Sequence, residues 1–174
     1  DTDHPWHRLE RGEISLLDAR ERVIALAREA GFDIDPFALL RRTVAGPGLR
    51  DPRVAQVRRL GAEGYQTALV TNNVREFSAA WRSLIPVAEL FDLIVDSSAV
   101  GMRKPNPEIY RHALRELGGV EPQRAVFLDD YAANVEAAVR LGLHGVLVEP
   151  EFERAILALD RLLAGQDAGG DTKA

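Results

Sequence analysis

Apolar residues along this chain fall into two textures that change near residue 50. From residue 6 to about 44 the spacing is helical throughout. Ser15 stands where a helix cap belongs. After it Leu16, Ala19, Val23, Ala27 and Ala30 recur at intervals of three and four, which lines them along one helix face that Gly31 ends. A shorter helix is predicted from Pro36 through Leu40 to Val44, and Gly46-Pro47-Gly48 breaks the chain behind it.

From Asp51 onward the texture alternates. A helix over residues 51–62 turns Val54, Val57 and Leu60 inward. Four short apolar runs then appear in turn: Thr67-Ala68-Leu69-Val70, Leu93-Ile94-Val95, Ala125-Val126-Phe127-Leu128 and Gly145-Val146-Leu147-Val148. Helical spacing separates them, with Val74, Phe77, Trp81 and Leu84 on one face, then Ile109, Tyr110, Ala113, Leu114 and Leu117, then a helix over 133–141. A closing helix carries Phe152, Ile156, Leu159 and Leu163. Continuous rather than alternating apolar runs predict strands covered on both faces, and strands that alternate with helices predict parallel βαβ units. The expected fold is therefore α/β, a doubly wound, Rossmann-like parallel sheet with a small helical cap. Its predicted division is a cap over 1–50, a core over 51–164 and a polar, Gly-rich, disordered tail over 165–174.

Composition narrows the class. With 174 residues and 46% hydrophobic positions the chain can bury a core and suits one domain with an appended lid. Its 22 basic and 27 acidic side chains sum to −5, with no basic run of the kind that tracks a phosphate backbone, so nucleic acid is not an expected partner. No cysteine is present, which excludes a disulfide framework, zinc–thiolate chemistry and a thiol nucleophile. No apolar stretch approaches the roughly 18 residues of a membrane span and no secretory pattern opens the chain, so the expectation is a cytoplasmic protein that does not engage a membrane.

Open parallel sheets bind ligands beyond the carboxyl ends of their strands. Three of the four predicted strands end in small polar or acidic residues: Thr71-Asn72-Asn73, Asp96-Ser97-Ser98 and Asp129-Asp130. Lys104 lies on the loop ahead of the Asn106 helix. Each has an ordinary reading as well. Asp130 can cap the next helix, Thr71 and Asn72 can form a turn, and a lysine is commonly just solvated. Together, a hydroxyl and amide, a fixed positive charge and paired carboxylates supply what phosphoryl chemistry needs: hydrogen bonds to phosphate, charge compensation and ligands for a hard cation. Asp96, Ser97 and Ser98 are read as structural. His4 and His7 have an H-x-x-H spacing without a third ligand.

Three segments, Ala68-Leu69-Val70-Thr71-Asn72-Asn73, Gly101-Met102-Arg103-Lys104-Pro105-Asn106-Pro107-Glu108-Ile109-Tyr110 and Val126-Phe127-Leu128-Asp129-Asp130, resemble motifs of the haloacid dehalogenase-like hydrolases. The similarity is strongest to the subgroup that includes the N-terminal phosphatase domain of soluble epoxide hydrolases, whose helical cap the stretch Arg8-Leu9-Glu10-Arg11-Gly12-Glu13-Ile14-Ser15 also resembles. A response-regulator receiver uses similar residue types, but places its acidic cluster early in the chain. Here the order is Thr71, then Lys104, then Asp129-Asp130. The resemblance implies that Thr71 and Asn72, with Asn73, bind phosphoryl oxygens and that Lys104 holds the transferring group by charge. It implies too that Asp130 and Asp129 bind Mg²⁺, Asp130 directly, and that Asn134 orients the pair.

The family nucleophile is an Asp at the end of the first strand, ahead of the cap. Asp1-Thr2-Asp3 has the letters of that motif but no strand before it, and residues 6–15 already match cap, so the match is read as coincidence. The first strand is expected in a segment ahead of residue 1, lying in the sheet between the strands that end at Thr71 and Asp129. The expected activity is hydrolysis of a small phosphorylated metabolite through an aspartyl-phosphate. Two alternatives stand beside it: a carbon–halogen hydrolase, which needs no metal, and a non-catalytic relative that binds an anion or a protein. Phe32 and Phe37 leave apolar surface on the cap through which a second copy could pack as a homodimer.

Overall fold

Ala68–Thr71 (β1) and Leu93–Asp96 (β2) run parallel, paired from Ala68 opposite Leu93 to Thr71 opposite Asp96. Val126–Asp129 (β3) and His144–Leu147 (β4) form a second parallel pair, from Val126 opposite His144 to Asp129 opposite Leu147. The computed structural model describes residues 3–35, 52–84 and 86–167. The predicted helix at 36–44, and Phe37 with it, lies outside them. Two compact units result, one ending at Arg103 and the other beginning at Lys104.

In the first unit, α1 (Pro5–Glu10) begins with proline at a position whose N–H needs no partner, and His4 Nδ1 accepts the free N–H of Trp6 at 3.2 Å. Ser15 caps α2 (Leu16–Glu29) by accepting the N–H of Asp18 at 3.1 Å and donating its hydroxyl to that carboxylate at 2.6 Å. Leu9 and Ala19 from these helices are buried with Val74, which follows β1, and Trp6, Ile14, Leu16, Val23 and Phe77 pack around them. The amino-terminal helices thus share a core with the β1 loop. Next come α3 (Pro52–Ala62), a 3₁₀ turn at Arg75–Phe77 that runs into α4 (Ser78–Leu84), α5 (Val87–Leu90) and, directly after β2, α6 (Ser97–Val100).

The second unit opens with α7 (Pro107–Glu116), whose cap Asn106 accepts the N–H of Glu108 at 3.0 Å. Its buried stripe of Ile109, Tyr110, Ala113 and Leu114 follows the predicted helical spacing. A 3₁₀ turn (Pro122–Arg124) leads into β3; α8 (Ala132–Arg140) lies between the strands and α9 (Phe152–Asp167) closes the unit on Ala155 and Leu159. The last helix runs three residues into the segment read as tail, because Leu159, Leu162 and Leu163 keep helical spacing up to its final turn.

Among the described residues β1 pairs with β2 and β3 with β4 in two ribbons, each with the parallel pairing that the alternating texture predicts. One expectation is revised: the strands are less enclosed than continuous apolar runs suggested. All of β1 is half-buried, and Leu147 in β4 is exposed, since each strand has a single neighbour.

Gly145 shows how closely α8 lies on β4. A Cβ there would come within 2.6 Å of Val139 Cγ2 and 2.7 Å of Val135 Cγ1, both on stiff β-branched side chains. Gly145→Ala should therefore destabilise the protein by about 1–3 kcal/mol, read as a fall in denaturation midpoint. An unchanged midpoint would show that the helix yields.

Candidate functional site

Each ribbon ends one strand in a buried carboxylate, and both carboxylates are surrounded by donors. At the end of β3, Asp129 is 8% exposed. Its Oδ2 takes the ammonium of Lys104 at 2.6 Å. Its Oδ1 accepts the N–H of Tyr131 at 2.8 Å and the side-chain amide of Asn134 at 3.0 Å. The sequence dictates this locally: the strand delivers Asp129, Asp130 turns the chain, and Asn134 falls on the first turn of α8, facing back. Asp130 does not cap α8. Tyr131 occupies that place, without a side-chain bond. Asp130 is exposed and makes no hydrogen bond or ion pair among the described residues.

Around this cluster the Lys104 Nζ lies over Phe127, 5.5 Å from the ring centroid, and Tyr110 meets the same ring edge-on at 5.1 Å. The Tyr110 hydroxyl donates to the Asn134 carbonyl at 2.9 Å, which fixes the start of α8. Burial, with the charge of Asp129 as a smaller cause, pushes that phenol well above its ordinary value, so it stays a donor. The helical spacing places Tyr110 inward, but no sequence signal identifies the partner of its hydroxyl.

In the first unit, Thr71 is the last residue of β1, half-buried, opposite Asp96, and its hydroxyl has no partner among the described residues. Asn72 continues the loop, and Asn73 donates its side-chain amide to Asp96 Oδ2 at 2.9 Å. Ser78 donates to the same oxygen at 2.8 Å, while the Ser98 N–H and hydroxyl reach Oδ1 at 3.0 and 2.7 Å. Asp96 also caps α6. Burial alone would raise its pKa, but the hydrogen bonds from Asn73, Ser98 and Ser78 prevail and hold it below the usual carboxylate range. The sequence singled out neither Ser78 nor this network, whose bonded partners lie up to 23 residues apart.

Whether a divalent cation suits the β3 end can be tested on the donors present. An ionised carboxylate offers about four lone-pair directions, and Asp129 uses three. Asp130 is free. The Oδ1 atom of Asn134 is buried with no partner, an orphaned acceptor on the side chain whose amide holds Asp129. These oxygens suit a hard ion that keeps several of its waters, as Mg²⁺ does. Among the described residues no group of three His, Asp or Glu side chains could hold a metal, and the H-x-x-H pair is no exception: His4 spends its Nδ1 on the α1 cap.

The class so defined is an α/β protein whose chemistry-bearing residues stand at the carboxyl ends of parallel strands. Residues 6–142 match the haloacid dehalogenase-like hydrolases, and the chain belongs to that family. It is 33% identical to mouse (Mus musculus) acyl-CoA dehydrogenase family member 10, over 91% of itself and 15% of that protein. To rat (Rattus norvegicus) bifunctional epoxide hydrolase 2 it is 30% identical, over 74% of itself and 24% of the relative. The chain therefore spans less than a quarter of these two relatives. A sesquiterpene phosphatase of Aspergillus oryzae is 30% identical over 81% of the chain and 70% of its own length. In fold, the chain resembles a family enzyme from Bacteroides thetaiotaomicron solved with magnesium and inorganic phosphate, at a TM-score of 0.65 and 19% identity, covering 87% of this chain and 77% of that one. A dehalogenase structure also shares the fold, at a TM-score of 0.61 and 21% identity over 88% and 71% of the two chains. Among the described residues no helix is long and apolar enough to cross a membrane.

Two predictions follow from the buried carboxylates. The side chains of Lys104 and Asp129 are 11% and 6% exposed, so Lys104→Met leaves a buried charge short of a partner and should cost about 3 kcal/mol in chemical denaturation. Adding Asp129→Asn should recover part of that loss; a double variant as unstable as the sum of the singles would show that the pair is not coupled. Because the native pKa of Asp96 is depressed, its contribution is present above about pH 4 and lost as the pH falls below that. The stability gap between wild type and Asp96→Asn should accordingly narrow between pH 6 and pH 3, and a constant gap would contradict the assigned shift.

Proposed function

We propose that the protein is a Mg²⁺-dependent phosphatase that hydrolyses a small phosphate ester through an aspartyl-phosphate, on a doubly wound parallel core with a helical cap. The observation that carries this reading is the β3 end: Asp129 held by Lys104 and Asn134, Asp130 left free, and the Oδ1 of that same Asn134 buried without a partner. A dehalogenase has no use for a metal, and such a donor set would stand idle in one. Similarity to a sesquiterpene phosphatase supports the same choice.

In this mechanism the Thr71 hydroxyl, with Asn72 and Asn73, donates to the phosphoryl oxygens. Lys104, held in place by Asp129, compensates negative charge as the ester bond breaks. Asp130 and Asp129 hold Mg²⁺, which supplies charge neutralisation at the transferring group when bound. The family resemblance assigns the attack to the carboxylate of an aspartate at the end of the family's first strand. Its oxygen bonds to phosphorus while the alcohol departs, and water then cleaves the acyl-phosphate to release phosphate. Packing of buried Tyr110 on half-buried Phe127 keeps Lys104 and Asn134 from relaxing toward solvent.

The full-length protein should release p-nitrophenol from its phosphate ester in the presence of Mg²⁺ and stop on chelation. Thr71→Val should lower turnover by about 10²-fold, and Asp130→Ala should raise the Mg²⁺ requirement by about 10–100-fold. Phosphate binding without turnover would replace the proposal with a binding module. Halide release from a haloacid without Mg²⁺ would replace it with a dehalogenase.

A further inference from the structure

We infer that Ser97 is a positioning residue for phosphate binding: its hydroxyl ties the loop that carries Thr71, Asn72 and Asn73 to the end of α1. The inference rests on the phosphatase reading, which gives that loop its role.

Ser97 is fully buried, at 0% exposure. Its Oγ donates to the Glu10 carbonyl at 2.6 Å and accepts the Asn73 N–H at 2.9 Å. A hydroxyl has one proton to give, and the Glu10 carbonyl, at the shorter distance, is its acceptor; the Asn73 carbonyl lies 3.3 Å away. The atom therefore stands in series between two segments 63 positions apart, Glu10 and Asn73. Removing it leaves a buried carbonyl and a half-buried N–H without their partner.

Two further contacts hold the α1 end, through Glu10 and Gly12, and a third ties the turn after β1 to the corner after β2. The Glu10 carboxylate pairs with Arg103 Nε at 2.6 Å, with the two side chains 9% and 19% exposed. Arg75 Nη2 donates to the Ser98 carbonyl at 3.0 Å. Gly12, at φ +68°, packs on that carbonyl so closely that a Cβ would lie 2.5 Å from the oxygen. Glu10 to Gly12 is thus docked at several points, whereas the backbone of Asn73 reaches it through the one hydroxyl. Asn73 is held on its other side by Asp96. Its main chain is set by Ser97 and its side chain by Asp96, which leaves little freedom to the two preceding residues.

The test is Ser97→Ala in the full-length protein. KM for p-nitrophenyl phosphate and the inhibition constant of inorganic phosphate should both rise about tenfold, with kcat changing less, and the Asn73 amide should exchange with solvent faster than in wild type. Ser97→Cys keeps the volume and a weak donor, should fall between the two, and carries the same readouts if the alanine variant does not fold. Lower stability with unchanged KM, phosphate inhibition and Asn73 exchange would overturn the inference and leave Ser97 structural only. If the wild type neither hydrolyses the ester nor binds phosphate, the phosphatase reading fails. Exchange at Asn73 then decides this inference alone: acceleration in Ser97→Ala supports the tether, and an unchanged rate overturns it.

Discussion

A carboxylate buried at the end of a strand must be surrounded by donors, and much of this structure is organised by that demand. It arises twice. Asp129 draws in Lys104, the N–H of Tyr131 and the amide of Asn134; Asp96 draws in Asn73, Ser78 and both donors of Ser98. Left unpaired, either charge would cost several kcal/mol. The satisfying groups come from neighbouring loops and helix starts, so meeting the demand also fixes where those loops run. Positions that chemistry can use, Thr71 and Asp130, are the residues beside these anchors that remain unengaged.

The two anchors differ in what they hold. Asp129 is met by a cation, and its neighbour Asn134 retains an unused buried oxygen. That end pairs charge with charge and keeps a buried acceptor unused. Asp96 is met mainly by neutral donors, Asn73, Ser78 and Ser98, with Arg82 no nearer than 4.0 Å. That end is saturated and serves to hold shape. Two aspartates at equivalent strand ends thus have different work because their surroundings differ, which composition alone does not reveal.

Much of the chain was legible in advance for reasons that are local. Pro107 after Asn106, and Ser15 ahead of Leu16, mark helix starts through backbone geometry that depends on a few residues only. The apolar runs at Leu93 and Val126 show as strands for the same reason. Asn134 could be placed beside Asp129 because one helical turn separates them. Ser78, Ser97 and Glu10 were a different matter. Their partners lie far along the chain, and a serine or glutamate that bonds a distant carbonyl or arginine looks like any surface residue of its type. The strands proved more exposed than expected because an apolar run reports what a strand can bury, while burial depends on how many neighbours it has.

The docking of Gly12 on the Ser98 carbonyl bears on how such a protein can be recombined. A helical segment joined by flexible linkers could be exchanged between relatives as a cassette. Here the turn after α1 leaves room for nothing larger than hydrogen against the backbone that follows β2. A segment grafted from another chain would need a glycine at the same place, and the Ser97–Ser98 corner would have to come from a source accustomed to it. The inheritable unit therefore comprises the α1 turn together with the corner after β2, two stretches that sequence separates by more than eighty residues.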